Sequence, residues 1–363
     1  MQRHFHHGLL GIFLWTTLLC TAAAAQSASA PSWLTLDTSA DVDRSVDENG
    51  ETTSGAILDA YVAARVAPGV ELVTRPWVQR LASGEWNRQV WLAAVRYEHK
   101  GPIGLRIEGG LITPPVGLAN LSLRPHLNPT VSQPSALFQA LPAPVVDSPR
   151  ITLLGAVYPF GVSATVSGTH WDARGALIDT SPLRARRVFG DANPPRFANV
   201  VIGGGVTPMV GLRIGGSVTR GGWLRADERP LDPMDRQATI VTVEAELSFR
   251  YTKLATEWVR DSLETATGHA VERGWYVQGQ QTLTPRWFLA GRVERISSPV
   301  AAPVSSGATP SLRRSLAGAE GTIGFRLTPD LTLRASYRAR RLFSQDVFLH
   351  EAAGSVVWAR RWF

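Results

Sequence analysis

From Leu316 to Arg341 apolar and polar side chains change places at almost every step, and this alternation limits the chain's possible folds more than any other feature. Ala317, Ala319, Gly321, Ile323, Phe325 and Leu327 interleave with Gly318, Glu320, Thr322, Gly324 and Arg326. After Thr328-Pro329-Asp330, Leu331, Leu333, Ala335 and Tyr337 interleave with Thr332, Arg334, Ser336 and Arg338. A period of two with one apolar face is a strand pattern. Proline between the two runs fixes φ and donates nothing to a ladder, so the pair reads as a hairpin.

The unit recurs. Short turn sequences stand at Ala67-Pro68-Gly69, Gly101-Pro102, Tyr158-Pro159-Phe160-Gly161, Thr207-Pro208-Met209, Arg250-Tyr251-Thr252-Lys253 and Thr284-Pro285-Arg286, with longer polar connections between the hairpins. Short turns at one end and long loops at the other predict an all-β, transmembrane, antiparallel β-barrel of about sixteen strands, a size that encloses an aqueous channel. The expected strands include 33–43, 58–66, 150–158, 162–171 and 352–363; 44–54 reads as a loop. Trp77, Trp171, Trp223, Trp275, Trp287, Trp358 and Trp362 fall near strand ends, where interfacial girdles form. The glycines at 203–205 read as a bend or a close backbone approach.

Alternation also reconciles a mean hydropathy near zero with membrane insertion. Beyond the N-terminus no run of ~18 apolar residues occurs, so no membrane helix is expected. Residues 1–25 read as a secretory signal peptide: Arg3, an apolar run from Leu9 to Cys20, then small residues before Gln26, with Ala30 a second cleavage candidate. The barrel then occupies 26–363. Cys20 is the sole cysteine, so the exported chain carries no thiol and no disulfide. The net charge is +7, and the only lysines are Lys100 and Lys253. That arginine bias reflects either genomic base composition or a use for fixed guanidinium groups.

On the faces assigned to the lumen lie Arg65, Arg75, Arg96, Arg106, Arg213, Arg292, Arg334 and Arg338, with Asp59, Glu71, Glu108, Glu244, Glu246, Glu257, Glu294 and Glu320. Near balance of charge argues against a steep filter and allows a weak anion preference at most. The longest connection, 112–149, is rich in proline and mixes Leu121, Leu123, Leu127, Leu137, Phe138 and Leu141 with Arg124, His126 and Asn128. A purely disordered loop would not need that apolar content.

The terminal Phe363, the repeated Thr-Pro turns and the segment from Glu108 to Leu118 resemble bacterial outer-membrane porins, in particular the phosphate-selective porin O/P-like group. Arg361 departs from that pattern, standing where porins commonly carry an aromatic residue. The resemblance implies a homotrimer of barrels and a third loop folded inward as a constriction, here 112–149 with Arg124, His126 and Asn128. The expected partners are small hydrophilic solutes or anions, outer-membrane lipid and lipopolysaccharide, the last through the basic loop from Arg174 to Arg196. No nucleic acid, metal or cofactor is expected.

The alternative is a barrel that is not a channel: a hydrolase, or a structural or adhesive barrel acting through its loops. His170-Trp171-Asp172 is the nearest approach to an acid–base pair, and no local nucleophile motif accompanies it. An enzyme is therefore not expected.

Overall fold

The computed structural model describes residues 33–362 except 82, 119–122, 144–149, 156–157, 185–197, 229–233, 267, 300–312 and 344. The expected signal peptide lies outside the described residues, as do Leu121, Arg186, Arg187, Arg196 and Phe363. No helix among the described residues is long and apolar enough to cross a membrane.

The strands are β1 (Leu34–Asp47), β2 (Thr52–Ala67), β3 (Val70–Arg80), β4 (Trp86–His99), β5 (Gly104–Leu111), β6 (Phe160–Ser167), β7 (Trp171–Ile178) and β8 (Asn199–Met209). They continue as β9 (Leu212–Leu224), β10 (Arg236–Phe249), β11 (Thr252–Thr265), β12 (Gly268–Thr282), β13 (Trp287–Pro299), β14 (Arg313–Arg326), β15 (Leu331–Arg341) and β16 (Leu349–Arg361). Each pairs antiparallel with its sequence neighbours, and β1 closes on β16 with Asp37 opposite Arg361, making a closed 16-stranded barrel. Closure removes the sheet edges that would otherwise expose unpaired backbone groups to lipid.

Exposure shows which face is which. On β13, Val293 is 50% exposed between Arg292 at 2% and Glu294 at 7%. The charged face therefore points into the barrel, and the apolar face points outward to lipid. Val42, Leu72, Val95, Ile107, Val162, Leu177, Ile202 and Val243 continue the outer belt around the wall. One register shift bends this rule usefully. Arg75 faces Leu92 and Pro76 faces Val90, leaving Trp91 as an extra residue on β4. Trp91 and Leu92 consequently both turn inward and are buried.

Several expectations need correction. Of the strand expected at 150–158, the described residues 150–155 and 158 are not strand: Thr152 N–H bonds to the Leu183 carbonyl and Leu154 N–H to the Ala136 carbonyl, so they belong to the long connection that precedes β6. Ile151, Thr152, Leu153 and Leu154 are all buried, a fit to a packed interior and not to a two-faced wall. Tyr158-Pro159-Phe160-Gly161 is therefore not the β6–β7 turn; that turn is Gly168 to His170, closed by Gly168 N–H on the Trp171 carbonyl. The strand total survives because β7 replaces the strand lost.

Residues 44–54 are mostly strand, since Asp47 Oδ1 accepts the N–H groups of Asn49 and Glu51 and closes a tight turn there. The β11–β12 connection is likewise short, so long loops do not alternate strictly with short turns. Arg174 lies on β7, not in a loop. Trp77 and Trp223 are not girdle residues: both face inward and are buried, whereas Trp171, Trp275 and Trp287 are 40–45% exposed on the outside.

Candidate functional site: the loop-lined interior

The connection between β5 and β6 folds inside the barrel and is bonded to inward-facing charges on β11, β13, β14 and β15. Its entry depends on Gly117, whose φ of +72° suits glycine and where a Cβ would lie 2.1 Å from Glu257 Oε1. The next N–H, of Leu118, donates to Glu257 Oε2 at 3.1 Å. Further along, Pro129 and Pro134 bracket Thr130-Val131-Ser132-Gln133, a segment whose backbone groups are turned to the wall.

Arg292 and Glu320, paired at 3.1 Å, grip that segment from both signs of charge. Glu320 Oε1 accepts the N–H groups of Val131 and Ser132 at 3.0 and 3.1 Å, and its second oxygen accepts the Ser132 hydroxyl. Arg292 donates to Thr130 Oγ1 and the Ser132 carbonyl at 2.9 Å each and to the Gln133 carbonyl at 3.1 Å. Glu294 takes the Ser135 N–H at 2.8 Å and its hydroxyl at 2.6 Å, at the start of the single helical turn α1 (Ser135–Phe138). Arg334 on β15 donates to the carbonyls of Asn128 at 2.7 Å and Thr130 at 2.9 Å, to Asp41 at 2.8 Å and to Ser355 Oγ at 2.8 Å. Paired with one another and bonded to the backbone of the connection, these charges are tolerable inside the barrel; removing one partner would leave the other stranded.

A second cluster ties the far end of the connection to β2–β4. Arg75 forms a two-pronged pair with Asp59 at 2.7 and 3.0 Å, bonds the Tyr158 hydroxyl, and lies 5.2 Å from the Trp91 ring centre. Arg124, from the loop, sits 4.9 Å over the Tyr61 ring and 3.7 Å from Asp59. Arg96 pairs with Glu108 at 2.7 Å and donates to the Tyr61 hydroxyl at 2.8 Å. Behind these polar contacts Ile112, Val116, Leu123, Leu137, Leu141, Ile151, Leu153 and Leu154 pack with Trp77, Trp91 and Trp223 into an apolar core inside the barrel.

The wall at β7–β10 is different. Arg213 forms a two-pronged pair with Asp172 at 2.8 and 2.9 Å and reaches Glu244 at 2.7 Å, while Arg174 donates to Glu244 at 3.1 Å. The inward glycines there make room for guanidinium groups: a Cβ on Gly205 would lie 2.8 Å from Arg213 Nη2. Arg213 and Asp172 each keep 22% of their side-chain surface exposed. Asp172 is therefore committed to Arg213, and the His170 ring instead approaches the Thr207 carbonyl at 3.3 Å.

The remaining sequence-derived residues are dispersed. Arg338 pairs with Glu351 on the inward face. Arg106 is bonded to Glu98 at 2.7 Å but is 54% exposed, beside a cavity of about 610 Å³ at the short-turn end. Arg65 is also exposed near that end, opposite Glu71. The Asn128 side chain closes a turn by accepting Thr130 Oγ1–H at 3.0 Å and donating to the Ser132 carbonyl at 2.8 Å, so it shapes the loop and does not project from it. His126 stays exposed on the loop, yet the surrounding protein mass and, after it, the Arg124 charge lower its pKa, against the opposing pull of Asp59 and Asp37. Arg184, expected in a lipid-facing basic loop, is buried and bonded to Glu228 at 2.8 Å.

Sequence reasoning missed Thr130, Ser132, Ser135, Tyr158 and Asp41. The signal available for the loop residues was a hydroxyl-rich segment held extended between two prolines.

No family model matches the sequence, and no curated relative matches it. Solved structures do match its shape. OmpT of Vibrio cholerae, in its trimer form, superposes with a TM-score of 0.55 at 8% identity, covering 90% of this chain and 99% of that one. OmpF of Salmonella typhi gives 0.58 at 10%, covering 90% and 97%. The anion-selective porin of Comamonas acidovorans gives 0.58 at 9%, covering 90% and 99%. At such identities the likeness is one of fold, and the fold of this chain is the porin-like β-barrel of bacterial outer membranes.

Proposed function

We propose that the protein is an outer-membrane porin, a passive diffusion channel for small hydrophilic solutes or ions, with no catalytic step. The observation that carries this reading is the partial exposure of charged side chains inside the barrel: Arg213, Asp172 and Arg338 on the inner wall and Arg124 on the folded-in connection each keep about a fifth of their surface open. Water-accessible charge along an inner wall, opposite a loop fixed to the other wall, is what a constricted aqueous lane requires. Because these arginines are paired with carboxylates, the lane favours anions weakly. Membership of the phosphate-selective O/P-like group rests on the sequence resemblance, and the homotrimer on that resemblance together with the trimer form of the Vibrio cholerae barrel.

A second reading has its own observation. The apolar core inside the barrel is densely buried, which favours a plugged barrel that acts through its surface. Single-channel recording of the purified, folded protein in planar bilayers separates the two. The porin reading expects discrete open steps and a small reversal potential of anion sign under a salt gradient, and a phosphate permeability above that of chloride would be the mark of the phosphate-selective group. Silence from folded protein would overturn it in favour of the plugged barrel.

A further inference from the structure

On the outside of the barrel, on the face that meets lipid, Arg260 of β11, Arg273 of β12 and Arg295 of β13 form a contiguous patch. Arg260 stands directly opposite Arg273, and Arg295 stands opposite Trp275, two residues along from Arg273, which makes Arg273 and Arg295 diagonal neighbours. All three are exposed, while the residues on either side of them, such as Val259, Asp261, Glu272 and Ile296, are buried toward the interior.

Like charges directly opposite on a sheet destabilise it. Among the described residues the guanidinium groups of these three arginines take part in no hydrogen bond or ion pair, whereas the buried Arg75, Arg292 and Arg334 each hold several partners. On the same outer face of these three strands the carboxylate is Glu264, and its Oε2 is occupied by the Gln237 N–H at 3.0 Å.

Position along the wall narrows the chemistry of the missing partner. Moving toward the short-turn end, the outer face passes from Arg260 and Arg273 to Trp258 opposite Trp275, then to Val277 and Val293. Tryptophan at the border of an apolar belt marks the lipid headgroup level. Arg295 stands in register with these tryptophans, and Arg260 and Arg273 lie just beyond them on the long-loop side, which is the extracellular side in such barrels. A guanidinium there meets headgroups, and three together present forked donors suited to phosphate oxygens.

We propose that Arg260, Arg273 and Arg295 form a binding site for a phosphorylated outer-leaflet glycolipid, the phosphates bridging the three guanidinium groups while the acyl chains lie along Trp258 and Trp275.

The test measures, by native mass spectrometry of the folded barrel in detergent, the affinity for bis-phosphorylated lipid A, for the same lipid stripped of phosphate, and for inorganic phosphate. The expected result is binding of the phosphorylated lipid that weakens on the order of 100-fold in the triple variant Arg260→Gln, Arg273→Gln, Arg295→Gln, at a few-fold per arginine near a charged surface. A triple Arg→Lys variant should keep most of the binding. Equal affinity for the dephosphorylated lipid, or wild-type affinity in the glutamine variant, would overturn the site. Inorganic phosphate binding as tightly as the lipid would overturn the glycolipid assignment. The two-lipid comparison uses the unmodified protein, so it decides the matter even if the glutamine variant fails to fold.

Discussion

The two halves of the inner wall use the same residue types to opposite ends. On β13–β15, Arg292, Arg334, Glu294 and Glu320 are almost fully buried because the β5–β6 connection lies on them and supplies backbone N–H and C=O partners. On β7–β10, Arg213 pairs with Asp172 and Glu244, Arg174 pairs with Glu244, and among the described residues Arg213, Asp172 and Arg174 each keep about a fifth of their side-chain surface exposed. Alternation puts arginine and carboxylate inward in both halves. What differs is the partner, and the partner decides whether a charge is mortar or lining.

The contrast can be broken most severely at Arg292. Arg292→Met leaves Glu320 and Glu294 without their buried cation and should cost roughly 3–5 kcal/mol. The expected readouts are a lowered thermal transition of the folded barrel, protease cleavage appearing within 125–142, and noisy, enlarged single-channel currents. An unchanged protease pattern would show that the loop does not depend on this pair.

A smaller effect is expected at the loop's entry. Gly117→Ala places a side chain at a φ of +72° and against Glu257, at a cost of roughly 1–3 kcal/mol. It should loosen the loop base without altering the charge of the lumen, so protease sensitivity near 117 should rise while ion preference stays constant. A shift in ion preference would mean that Glu257 itself lines the permeation path.

The open wall should answer in the reverse manner. Arg213→Gln removes the partly exposed pair with Asp172, costing about 1 kcal/mol or less, while the buried Glu244 keeps Arg174 as its cation. Stability should scarcely move, and the reversal potential should shift toward cations. If Arg213→Gln destabilises the barrel as strongly as Arg292→Met, the distinction between the two walls fails.

Much of the fold was legible because a barrel repeats one simple rule. Period-two alternation with short turns placed the β14–β15 hairpin and β16 within a few residues of their positions, and it put Arg75, Arg96, Arg292 and Arg334 on the correct face. Legibility failed where alternation is not the governing constraint. Ile151 to Leu154 alternates weakly, and its apolar residues proved to be core for the folded-in connection. Trp77 and Trp223 have the composition of girdle residues, yet parity turns them inward. The Arg260, Arg273 and Arg295 patch spreads over three strands, so no local window shows it.

The sequence by itself determined the wall: the alternation of its faces, the even strand number and the charge that faces inward, since each is a local property of strands and turns. Only the tertiary structure decided what those inward charges do. A buried guanidinium and a solvated one have the same sequence signature, and which of them results depends on whether the connection between β5 and β6 brings its backbone N–H and C=O groups to that side of the barrel.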